Sequence, residues 1–310
     1  MKRNYILYLL FIASTICVGA CNNDEDIDTA HSIFTNEGKT ENAFDKWLFR
    51  NYMNPYNVTF KYRMEDIESD QTKNLVPADY DKAVALAKLV KYVWMEAYDE
   101  QNGINFLRVY MPKTGHLIGS KAYEKSGAIL GTAEGGMKIT LYDVNSLDAE
   151  NIDIEELNEV FFKTMHHEFA HVLHQTKNYD PAFDRVTENG YIGSSWYIYT
   201  NPETGQQSNR TDAQAWQAGF VTPYAMSEPR EDFAENIAMY VTNSAVYWEN
   251  MLAVAGEEGA AQLTKKFNIV YNYMRDTWGI NLDELRSIFL RRQSEIYELD
   301  LSTIELADDF

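Results

Sequence analysis

His166-His167-Glu168-Phe169-Ala170-His171-Val172-Leu173-His174 holds four of the six histidines in a chain of 310 residues. Inside it stands His167-Glu168-x-x-His171. On an α-helix, positions i and i+4 differ by about 40° in direction, so both imidazoles reach one metal ion. Glu168 lies about 60° from His171 on the same side, too far round to be a ligand but within reach of a water that the ion activates. Neutral imidazoles suit zinc, and an open coordination position on Zn2+ lowers the pKa of water to about 7. Glu168 is then the candidate general base, passing the proton on to the leaving group. The surrounding residues support a helix. Phe161, Phe162, Met165, Phe169, Val172 and Leu173 form its apolar side, and Asp153 with Glu156 resembles a capping box at its start. The helix is expected to end near Gln175. His166 points away and reads as structural, whereas His174, one turn on from the ligand face, reads as a cleft or packing residue.

Two imidazoles need a third ligand. A further histidine three residues past a glycine would fall at position 177, where the chain has Lys177, so the metzincin arrangement fails. Ser227-Glu228-Pro229-Arg230-Glu231-Asp232-Phe233-Ala234-Glu235-Asn236 opens a second helix, with Pro229 in its first turn. Glu231 and Glu235 stand at i and i+4 on one face. One can bind the ion while the other hydrogen-bonds a ligand imidazole and fixes its tautomer. The competing reading is a solvated acidic helix start, which the helix dipole favours. Asp232, about 100° round, is the weaker ligand candidate.

Outward from these two helices the chain reads as α+β. Ala43–Tyr52 has helical spacing, ended by Asn54-Pro55, and 58–63 alternates as a strand. Residues 77–98 form a helix with Val84, Leu86, Leu89, Val90, Val93 and Trp94 on one broad face. Residues 107–111, 128–130 and 138–142 read as short strands between glycine-containing turns, giving a small, mostly antiparallel sheet. From position 148 the chain is largely helical, with helices expected at 230–242, 260–278 and 283–297. The long connection 178–223 is rich in Tyr, Asn, Gly and Thr, the mark of a functional or disordered segment.

Composition narrows the partners. Forty-seven acidic against 27 basic residues give a net charge of −20, which repels phosphate backbones and excludes nucleic acid as a partner. The two cysteines, Cys17 and Cys21, supply neither a disulfide framework nor a thiolate zinc site. Lys2 and Arg3, an apolar run to Val18, and Gly19-Ala20 before Cys21 have the layout of a signal peptide. Val18-Gly19-Ala20-Cys21 resembles a bacterial lipobox, with cleavage before Cys21 and lipidation of its thiol. The expected organisation is a leader at 1–20, an acidic flexible tether at 21–40 and one domain at 41–310. The domain is then held to a membrane through the lipid on Cys21.

His167-Glu168-Phe169-Ala170-His171 followed by Glu231-x-Phe233-Ala234-Glu235 resembles the gluzincin pattern of the lethal-factor type. That resemblance makes Glu231 the metal ligand, Glu235 the partner behind a ligand imidazole, and Tyr224, seven residues before Glu231, an aid to catalysis. A phenol there could stabilise a developing oxyanion. The whole chain resembles the zinc-binding metallopeptidase lipoproteins of Bacteroides-type bacteria, also described as substrate-import-associated zinc metallohydrolases. The resemblance runs through Trp47-Leu48, Asn51-Tyr52, Pro55-Tyr56-Asn57, Ile118-Gly119-Ser120, Gly131-Thr132-Ala133-Glu134-Gly135-Gly136-Met137-Lys138, the histidine block and Tyr224 to Glu235. It implies a gluzincin-like zinc metalloprotease fold, a peptide or protein substrate, and an outer-membrane location in a Gram-negative cell beside an uptake system. It also implies that the strand at Lys138–Tyr142 is an edge that pairs with extended peptide; the alternative is a strand paired on both sides. The rival to peptide hydrolysis is a non-catalytic zinc lipoprotein accessory to an outer-membrane transporter. Amide hydrolysis on a glycan would use the same chemistry on a different bond.

Overall fold

Asn42 and Asp45 cap the first helix reciprocally, each side chain accepting the other's backbone N–H at 2.9 Å. The computed structural model describes residues 41–64, 73–124, 127–129, 131–134 and 136–304. The expected leader with Cys21 and the tether lie outside them. Helix α1 (43–56) runs through Ala43–Leu48, a π turn at Phe49–Met53 and a last segment Asn54–Tyr56. The expected break at Asn54-Pro55 moves to Asn57, which adopts a left-handed φ of 55°. Pro55 sits in the first turn of the last segment, where its missing N–H costs little. α1 buries Phe44, Leu48, Tyr52 and Tyr56.

Strand β1 (Thr59–Lys61) leads to helix α2 (80–102), which has a π turn at Val90–Met95. Helix α3 (Ile104–Tyr110) occupies the stretch where the sequence suggested a strand at 107–111. Phe106 and Tyr110 recur at i and i+4, and their rings meet Tyr98, Phe169 and Trp278. That aromatic side packs only if the segment is helical.

The sheet comprises β1, β2 (Thr114–Leu117), β5 (Gly131–Glu134) and β6 (Lys138–Leu141), in the order β1-β2-β6-β5. Between β2 and β5, strands β3 (Ala122–Glu124) and β4 (Gly127–Ile129) form a separate antiparallel pair. β1 pairs with β2 and β2 with β6 in parallel, Phe60 opposite Gly115 and Gly115 opposite Ile139. Within this sheet, among the described residues, β5 and β6 alone are antiparallel, with Thr132 opposite Thr140. The expectation of a mostly antiparallel sheet is therefore corrected to a mixed one. β2 is followed in sequence by β3 but joins β6 in the sheet, a choice that strand alternation does not encode. β6 is paired on both sides, so among the described residues the edges of this sheet are β1 and β5.

Helix α4 (154–176) carries the histidine block. Asp153 caps it, accepting from Glu155 N–H at 2.8 Å and Glu156 N–H at 3.2 Å. A π turn at Asn158–Phe162 precedes the regular segment Lys163–Thr176. Phe169 is wholly buried, edge-on to Trp94 and Tyr98. The connection that follows holds hairpin β7 (Ile198–Thr200) and β8 (Gln207–Asn209), then helix α5 (Asp212–Gln217) with a Thr211/Gln214 capping box.

Helix α6 (Pro229–Thr242) packs along α4. Helix α7 (Ala245–Trp278) starts well before the expected position 260, capped by Ser244. The helix is interrupted at Gly256, whose φ of 71° kinks it. Helix α8 (Leu282–Ser294) begins from an Asn281 cap.

Candidate metal centre

α4 and α6 lie side by side with their functional faces inward. His167 Nε2 is 2.9 Å from Glu231 Oε2, His171 Nε2 is 3.3 Å from the same oxygen, and the two Nε2 atoms are 3.0 Å apart. Donor atoms of the three residues all lie within 4.8 Å of one another. The helix repeat places His167 and His171 on one stripe of α4. Glu231 occupies the first turn of α6, where a carboxylate complements the free N–H groups.

The outer contacts test whether a cation fits. His167 Nδ1 is 2.9 Å from Glu235 Oε1. An ionised carboxylate only accepts, so Nδ1 carries a proton; Nε2 donates to Glu231 or, with a cation between them, offers its lone pair. His171 Nδ1 is 2.8 Å from His174 Nε2. With that Nδ1 also protonated, two imidazole lone pairs and a carboxylate oxygen converge, a set that a positive charge reconciles. Three protein ligands of N and O type suit a catalytic zinc. Burial favours the neutral His167 ring, yet Glu231 and Glu235 outweigh it and draw its pKa up to about 10. The position thus attracts positive charge.

The acidic groups are tuned in the same sense. Burial disfavours the Glu235 carboxylate, but Lys163, His167 and Thr222 hold its pKa down to about 2. Lys163 Nζ is 3.1 Å and Thr222 Oγ1 is 2.6 Å from Glu235 Oε2. Burial is likewise overcome at Glu231 by the two imidazoles, leaving its carboxyl far below the usual range. Glu168 is buried beside His167, and its charge acts on both His167 and Tyr224. The Tyr224 ring centre is 5.9 Å from that of His167. Burial, then Glu231, raises the Tyr224 phenol well above its ordinary pKa, so it keeps its proton. Trp196, just ahead of β7, meets Tyr224 edge-on at 5.3 Å.

The remaining candidates sort by direction. Asp232 turns away from the cluster: its Oδ2 is 2.6 Å from the fully buried Lys266 Nζ and accepts from the Tyr191 hydroxyl at 2.8 Å. His166 is buried in the core, with Nδ1 3.0 Å from the Tyr98 hydroxyl, and burial lowers its pKa to about 3. His174 is buried behind His171; burial and the neighbouring His171 bring its pKa to about 4. Lys163 and Thr222 escaped the sequence reading. Lys163 does stand one turn before His167, the signal that could have found it, but nothing near Thr222 announces a contact across space.

β5 runs beside the histidine helix. A Cβ on Gly131 would lie 2.1 Å from Thr164 Cγ2, and one on Gly136 would lie 3.8 Å from Val172. The strand and its following turn thus span the stretch of α4 that holds His167, Glu168 and His171.

Residues 37–283 match a family model described as "Putative zinc-binding metallo-peptidase". The chain is also similar to a crystal structure described as a putative zinc-binding metallo-peptidase from Bacteroides caccae. The two are 46% identical, the match covers 88% of this chain and 100% of that one, and the TM-score is 0.71. No curated protein matches. With that span of family match and a His-His-Glu group between two packed helices, the chain belongs to the zinc-binding metallo-peptidase family.

Proposed function

We propose that the protein is a zinc-dependent peptidase of gluzincin type. The observation that carries this reading is the convergence of His167 Nε2, His171 Nε2 and Glu231 Oε2, with Glu168 beside them. These three residues would hold Zn2+, which supplies Lewis-acid activation of water and of a substrate carbonyl. Glu168 takes the proton of the attacking water and delivers it to the leaving nitrogen. Tyr224, held protonated, donates to the oxyanion that forms. Glu235 fixes the His167 tautomer from behind. Extended peptide adds to the open edge of β5, which lies along α4, so that backbone hydrogen bonds draw the scissile bond past Glu168.

The body of the protein is proposed to be a lipoprotein of the cell envelope, anchored through Cys21, on the strength of the 1–21 sequence. Metal analysis with a mass-spectrometric digest of a peptide library tests the chemistry. Wild type should hold one zinc and cleave, whereas Glu168→Gln should hold zinc and lose hydrolysis. Equal cleavage by that variant would remove Glu168 from the reaction.

A further inference from the structure

His171 and His167 are held from behind in different ways. His167 Nδ1 meets a carboxylate, that of Glu235, at 2.9 Å. Among the described residues His171 Nδ1 meets no carboxylate; its contact is the Nε2 of a third imidazole, His174, at 2.8 Å. The two residues are i and i+3 on α4, and their rings stand nearly perpendicular with centres 5.0 Å apart. That geometry points the edge of one ring at the edge of the other, as a hydrogen bond between imidazoles requires.

His174 is itself locked. It is 3% exposed. Its ring packs edge-on against Tyr179, at 5.6 Å, and against Phe233, at 6.1 Å. Tyr179 and Phe233 stack flat on each other at 4.0 Å. Phe233 belongs to α6 and lies between Glu231 and Glu235. The wall that fixes His174 is therefore built partly on the helix that brings the carboxylate ligand.

From this geometry we propose that His174 is a positioning residue for His171: its Nε2 accepts the Nδ1–H of His171 and fixes which nitrogen of that ring faces Glu231. The inference rests on the metal-site reading given above. If His171 offers the Nε2 lone pair to an ion, its proton must sit on Nδ1, and the acceptor within reach there is His174 Nε2. His174 then carries its own proton on Nδ1. Residues that orient a ligand in this way typically contribute 10–100-fold to metal affinity. A neutral acceptor also leaves His171 a weaker donor than His167, whose partner is charged, so the two imidazoles bind the ion unequally.

The test is zinc competition against a chromophoric chelator, with the full chain as wild type, His174→Phe, His174→Gln and His171→Ala. Phe keeps an aromatic ring against Tyr179 and Phe233 but accepts nothing. Gln places an acceptor near the former Nε2. The expected result is zinc affinity 10–100-fold weaker in His174→Phe, largely restored in His174→Gln, with the melting temperature of the zinc-free protein little changed in either. Cobalt(II) loaded in place of zinc should show a shifted visible absorption band in His174→Phe alone. Wild-type affinity and an unshifted cobalt band in His174→Phe would overturn the proposal while leaving the metal site intact. Equal loss in the Phe and Gln variants, with a lowered zinc-free melting temperature, would overturn it in favour of packing. If wild type and His171→Ala bind zinc alike, it is the metal-site reading that falls, and the proposal with it.

Discussion

Both oxygens of Glu235 are engaged, Oε1 by His167 and Oε2 by Thr222 and Lys163. A carboxylate held at both ends is poorly placed to turn toward an ion, whereas Glu231 aims one oxygen at two imidazoles. The division of labour between two acids on one helix face follows from who surrounds each. Tyr224 belongs to the same neighbourhood through its ring contact with His167. Tyr224→Phe removes one donor from the forming oxyanion and should lower kcat about 100-fold. Zinc content and KM should stay near wild type, which steady-state kinetics with metal analysis checks. At this scale the sequence was informative wherever partners are one helical turn apart: His167 with His171, Glu231 with Glu235. It was silent where the partner comes from elsewhere in the chain. Thr222 reaches Glu235 from the loop before α6, and Asp232 is claimed by a lysine 34 positions on. Local spacing cannot report either contact.

Helices were legible from apolar recurrence, and Asp153 does start the histidine helix, but the first half of α7, opened by Ser244, was not. Strand pairing was not legible. Alternation in 138–141 marks a strand but leaves open whether its neighbours are β2 and β5 or a substrate. The α3 segment misled because Leu107-Arg108-Val109 alternates, while the aromatic pair that decides its shape lies at Phe106 and Tyr110. The close seating of β5 on α4 depends on Gly131. Gly131→Val would drive a side chain into Thr164, with an overpacking cost of about 1–3 kcal/mol. Chemical denaturation should read that loss, and Thr164→Ser, which deletes the offending methyl, should recover part of it in the paired variant Gly131→Val/Thr164→Ser.

Across the whole domain, the two ligand helices are held by separate means. α6 is tied to α7 through Asp232 and Lys266, a buried ion pair completed by Tyr191, Asn236 and the Gly219 carbonyl. Such pairs are costly to break on one side, about 3–5 kcal/mol. α4 is held by the aromatic core around Trp94, Tyr98 and Phe169. An ion shared by α4 and α6 would join these two halves, so its removal should be felt globally. At free zinc about 1,000 times Kd, binding adds about 4.1 kcal/mol to stability. At roughly 2–4 °C per kcal/mol for a domain of this size, chelation should lower Tm by on the order of 10 °C in a calorimetric scan. The π turn at Asn158–Phe162 bears on how such a domain can change. A π turn holds one more residue per turn than its neighbours need. Loss of one of those five residues would let the turn close to the ordinary α pattern, and His167 and His171 would keep their bearing on Glu231. The same loss between Lys163 and His167, where the helix is regular, would rotate everything downstream by about 100°. The gene can therefore shorten by one codon in the first stretch but not in the second.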